Sequence, residues 1–218
     1  PAAHAEVRDG TPVAEMAVAP DGTLYVVWQD GRFSGRADAI AMARSSDGGA
    51  TWTTPVRVSS RADARAFAPQ VHVAADGTIA VTYFDLRFDT PDPSSLPCDF
   101  WMARSRDGVS WIETHVAGPF DMLGAPNAGG LFLGDYTGLD SAGSELIALH
   151  ARTTGSPGNP TDLFVARVAT DAPGVAYTAS AKALAADDAR LRERAAAALA
   201  RAMERRPFGW LGRNAPRD

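Results

Sequence analysis

Three short stretches end an apolar run with a polar residue and an arginine two positions on. They are Asp30-Gly31-Arg32, Asp85-Leu86-Arg87 and His150-Ala151-Arg152. A guanidinium presents a planar fork of donors that fits a carboxylate. Arg32, Arg87 and Arg152 around one mouth could therefore hold a carboxylate ligand. A second reading stays open beside it, in which each arginine folds back on its neighbouring acid and pins a loop. The long connection Phe88–Asp99 adds oxygen donors, and Asp85, Asp89, Asp92 and Asp99 could supply ligands to Ca²⁺, although no EF-hand spacing exists. His4, His72, His115 and His150 have no metal-ligand spacing, and the single cysteine, Cys98, excludes an intrachain disulfide and a Cys-rich metal site. No Gly-rich phosphate loop or nucleophile elbow is present.

The arginines recur because the sequence recurs. Glu15–Ala19, Pro20-Asp21-Gly22 and Thr23–Gln29 read as strand, turn, strand; so do Pro69–Ala74, Ala75-Asp76-Gly77 and Thr78–Phe84. An Asp-Gly dipeptide supplies the positive φ of a tight hairpin. A more degenerate copy runs Leu131–Leu139, a turn at Asp140–Gly143, then Glu145–His150. Third strands follow in Ala39–Ser45, Asp99–Ser105 and Asp162–Val168, and fourth strands over 51–58 and 110–116. Four strands per repeat of this length predict β-propeller blades, at about 11–60, 66–118 and 128–169.

Composition bounds the rest. Eight of the 21 Lys and Arg but only three of the 26 Asp and Glu lie in residues 190–218, so the body is acidic and the tail basic. An acidic body disfavours nucleic acid as a partner. No apolar run is long enough to span a membrane. Residues 179–206 contain no Gly or Pro and space Leu184, Leu191, Leu199 and Met203 as one face of a helix. The pattern predicts a linker from 171, a helix over about 179–206, then a basic coil. The helix has three readings: a solvated terminal element, a dock for a partner or larger assembly, or a contact with acidic lipid.

Ser45-Ser46-Asp47-Gly48-Gly49-Ala50-Thr51-Trp52 follows the pattern Ser-x-Asp-x-Gly-x-Thr-Trp, and Ser105-Arg106-Asp107-Gly108-Val109-Ser110-Trp111 is one residue shorter. The Asp collects turn amides, the Gly takes a positive φ, and the Trp packs back beneath the hairpin. Both Trp52 and Trp111 are expected to be buried. These boxes resemble the Asp-box, or BNR repeat, of the sialidase superfamily. Phe132-Leu133-Gly134-Asp135-Tyr136-Thr137-Gly138-Leu139 is similar to repeats of secreted bacterial exo-α-sialidase-like proteins.

The resemblance covers about 11–169 and implies roughly half of a six-bladed propeller. It implies a secreted, periplasmic or cell-surface location. Family sialidases use three arginines, a Tyr–Glu nucleophile and an Asp acid. Carried over, Arg32, Arg87 and Arg152 would bind carboxylate, Tyr136 would attack, and Asp30, Asp85 or Asp99 would serve as the acid. The Phe/Tyr-Arg-Ile-Pro motif is missing, since Thr11–Ala17 holds no arginine. Two functions follow: a non-catalytic glycan- or protein-binding module, and an exo-glycosidase for acidic sugars. A third is an accessory subunit docked through its helix. Half a propeller also implies another polypeptide, self or other, against its exposed flanks.

Overall fold

The computed structural model describes residues 6–8, 13–34, 37–135 and 137–181. Tyr136, His4 and everything beyond Ala181 lie outside the described residues, and with them most of the predicted helix. The described chain is all-β, in three antiparallel sheets. The first holds β1 (Ala14–Val18), β2 (Leu24–Asp30), β3 (Ala39–Ser45) and β4 (Val56–Arg57). The second holds β5 (Ala66–Val73), β6 (Ile79–Asp85), β7 (Pro97–Ser105) and β8 (Ser110–Asp121). The third is β9 (Gly138–Ala142), β10 (Glu145–Ser156) and β11 (Asn159–Ala169). Within each sheet, sequential strands are neighbours. Local hairpins make that pairing cheap in chain entropy.

The Asp-Gly turns do what their chemistry allows. Gly22 and Gly77 sit at φ +86° and +82°. The preceding carboxylates, Asp21 and Asp76, accept the backbone N–H of Thr23 and Thr78 at 2.9 Å.

Alternation then assigns faces. Tyr25 and Val27 on β2 and Ile40 and Met42 on β3 pack with Val71, Val81, Tyr83 and Trp111 of the second sheet. Ala80, Phe84, Phe100 and Met102 pack with Leu146, Ala148 and Val168 of the third. The second sheet is covered on both faces, so every residue of β6 is buried.

Four expectations are corrected. The third sheet has three strands rather than four, and its hairpin turns at Gly143 and Ser144, the end of the expected Asp140–Gly143 turn, because Asp140 to Ala142 belong to β9. The predicted linker instead contains β12 (Val175–Thr178), which adds to the outer edge of β8. The helix predicted from 179 does not begin there. Ser180–Ala181 forms β13, paired with Arg57 and Val56 of β4. The segment after the third sheet therefore runs back along the outer edges of the second and first. It satisfies strand edges that would otherwise be unpaired. Gly174 makes the approach possible, because a Cβ there would collide with the Glu113 carbonyl. Gly174→Ala is expected to loosen this strap, read as faster amide exchange at Val175–Ala181 with the hairpins unchanged.

The fourth correction concerns Trp52. Trp111 is 1% exposed, but Trp52 is 44% exposed. The two occupy the same place in successive repeats. Trp111 is covered by the sheet before it, and no sheet precedes the first among the described residues.

Candidate functional site

β2 and β3 pair Asp30 with Ala39 at one end and Leu24 with Ser45 at the other; β6 and β7 pair Asp85 with Asp99 and Ile79 with Ser105. The arginines and the Asp-boxes therefore lie at opposite ends of their sheets, as expected from the strand count. At the box end, Ser45 Oγ donates to Asp47 at 2.7 Å and accepts Gly49 N–H. Asp47 also accepts the Thr51 hydroxyl and amide, which hold its carboxyl at about 2. Trp52 Nε1 donates to the Gly49 carbonyl. In the second box, Ser105 Oγ pairs with Asp107 and accepts Gly108 N–H. Asp107 accepts the amides of Val109 and Ser110, which likewise keep it at about 2.

The opposite end holds a polar cluster on the face of the second sheet that meets the first. Tyr83 and Asp85 come from β6, Asp99 and Trp101 from β7, Glu113 and His115 from β8. Arg87 binds Glu113 with both terminal nitrogens, at 2.7 and 3.1 Å, and Asp85 with Nε at 2.7 Å. Its guanidinium lies 3.6 Å from the centre of the Trp101 ring. Trp101 Nε1 donates to Asp85 at 3.0 Å. Ser60 Oγ and Tyr83 OH donate to Glu113.

The electrostatics follow from that packing. Burial works against the charge on Arg87, but the two carboxylates outweigh it and raise its pKa. Burial pushes Glu113 up, yet the bonds from Arg87, Ser60 and Tyr83 leave it below its ordinary value. Asp85 is raised, because burial exceeds what Arg87 returns. Burial first, then the charges of Tyr177 and Glu113, keep the Tyr83 phenol well above its ordinary range.

The first sheet repeats the device. Arg32 Nε donates to Asp30 at 2.8 Å, and Trp28 Nε1 donates to the same carboxylate at 2.8 Å. The indole comes from β2 here and from the neighbouring strand in the second sheet. In the third sheet His150 replaces the acid, and Arg152 stacks on Phe164 with its Cζ 3.7 Å from the ring centre.

His150 is buried against Phe100, ring centroids 4.3 Å apart, with no hydrogen-bond partner on either nitrogen. Burial, helped by the Arg152 charge, lowers its pKa to about 4. The unfolded chain therefore takes up this proton near pH 6.5 while the folded chain refuses it. Stability is expected to fall as pH drops from about 6.5 to about 4 and then to level off for this group, a loss of about 3 kcal/mol. Urea unfolding of wild type and His150→Phe at pH 7.5 and pH 4.5 checks it, with the excess pH dependence confined to wild type.

Of the acids considered for Ca²⁺, Asp85 is bound by Arg87 and Trp101, and Asp99 Oδ1 lies 2.6 Å from His115 Nε2. Asp92 accepts the amide and hydroxyl of Ser94. Among the described residues no three His, Cys, Asp or Glu side chains gather as a metal site would. Beside the cluster a cleft of about 500 Å³ opens, lined in part by Arg61, Asp63, Arg65, Arg87 and Asp89. Arg61 and Asp63 close a two-bond exposed pair across its rim.

The sequence marks no role for Tyr83, Glu113 or Ser60, and His115 stands out in it only as a histidine without metal-ligand spacing. A signal existed for two of them, since Glu113 and His115 follow the inward Trp111 at strand periodicity. No protein-family model and no curated protein matches the chain. No described helix is long and apolar enough to cross a membrane.

Proposed function

We propose that the chain is a segment of a sialidase-like β-propeller that serves as a non-catalytic interaction module, presented outside the cytoplasm. The resemblance rests on the two Asp-boxes, the Asp-Gly hairpins and the stacking of meander sheets. The observation that carries the non-catalytic reading is the commitment of Arg87. Its Nε and both terminal nitrogens are bound to Asp85 and Glu113 of its own sheet, so gripping a substrate carboxylate would mean breaking a buried pair. Arg32 is tied to Asp30 through Nε. The acids a glycosidase reading would use, Asp30, Asp85 and Asp99, each hold a partner side chain.

A fluorogenic sialoside tests this. The 218-residue chain is expected to release fluorophore no faster than buffer. Turnover that disappears in Tyr136→Phe would restore the enzyme.

A further inference from the structure

The three sheets stack in series by one repeated contact. Met42 on β3 of the first sheet meets the second box turn, where a Cβ on Gly108 would lie 3.3 Å from its Cε. Arg44, two residues on, donates to the Asp107 carbonyl of that turn. One sheet later the contact recurs. Arg104, which holds the place of Arg44, donates at 2.9 Å to the Thr170 carbonyl, which holds the place of Asp107.

The third sheet carries the same donor pair, and among the described residues no further sheet receives it. Val165 stands where Met42 and Met102 stand, and Arg167 where Arg44 and Arg104 stand. Val165 is 63% exposed, and Arg167 is exposed and, among the described residues, paired with Glu145 of its own sheet at 2.8 Å. The first sheet carries the complementary receptor. Its outward face exposes Met16, at 59%, with Val18 and Trp52 beside the first box turn. The donor face and the receptor face left uncovered among the described residues are therefore the two halves of the contact used twice between the sheets.

We infer that each outward face is occupied by a second copy of this chain. The third sheet of one copy seats on the first sheet of the other. Val165 packs on the Gly49–Trp52 turn, and Arg167 leaves Glu145 to donate to the Asp47 carbonyl of the second copy. The contact is head-to-tail, and two copies provide both faces for two such contacts. This rests on the stacking of the sheets and is independent of the sialidase-like reading.

Light scattering on the full chain is expected to give twice 22.9 kDa. Val18→Asp spoils the receptor face and Val165→Asp the donor face. Each variant alone is expected to be a folded monomer by circular dichroism and scattering. Their equimolar mixture is expected to form a dimer, because one intact contact remains between unlike chains. Arg167→Ala is expected to weaken dimerisation about tenfold per contact with the melt of the monomer unchanged. A wild-type monomer at all concentrations would overturn the inference. So would either single variant remaining dimeric, which would mean that like faces or other surfaces meet.

Discussion

Arg87→Ala is expected to remove about 3–5 kcal/mol of folding stability, read as the shift in urea midpoint at constant slope. The size comes from what the substitution leaves behind. Glu113 and Asp85 are both buried, and Arg87 is the cation bonded to each. Without it, two carboxylates face each other in a site closed by Trp101 and Tyr83. They must then stay charged and unpaired or take up protons. Arg87→Lys is expected to recover only part of the loss, because one ammonium cannot occupy the fork of three bonds. In a double-mutant cycle, Arg87→Ala with Glu113→Gln is expected to show a coupling of about 1.5–3 kcal/mol. A loss below about 1 kcal/mol for Arg87→Ala would mean that the cluster does not hold the second sheet.

The second large effect is an asymmetry between equivalent tryptophans. Trp111→Ala is expected to cost about 3–5 kcal/mol, since the ring is enclosed between two sheets and its removal leaves a cavity. Trp52→Ala is expected to cost less than about 1.5 kcal/mol in the isolated chain, because nearly half the ring already meets water. The hydrogen bonds of the first box do not depend on that ring being covered. Thermal melts of the two variants under dilute conditions separate the cases. Equal losses would mean that the first sheet already has a neighbour.

Much of this arrangement was legible in the residues. Period-two alternation and the Asp21-Gly22 and Asp76-Gly77 turns define hairpins whose order follows from short loops. The boxes were legible because each is a local hydrogen-bond circuit within eight residues. The pairing of Asp30 with Arg32, and of Asp85 with Arg87, was one of two open readings. Choosing between them needed Glu113, which lies 26 residues from Arg87 and enters through strand register. Trp52 was misjudged because burial is a property of the neighbouring sheet, not of the turn. The strap was missed for a similar reason. Val175–Thr178 and Ser180–Ala181 are short and mostly exposed, so no face pattern marks them. Their partners are edges of sheets formed more than 60 residues earlier.

On the proposed reading, Arg32 and Arg87 pin their own strands and do not take up a ligand. A thermal melt of the full chain in rising concentrations of free sialic acid tests it most directly. A ligand bound at a hundred times its Kd adds about 2.7 kcal/mol, which would move the midpoint by several degrees. No saturable shift is expected. A saturable rise in Tm that Arg32→Lys or Arg87→Lys abolishes would overturn this, and would make these arginines the grip of a carboxylate site.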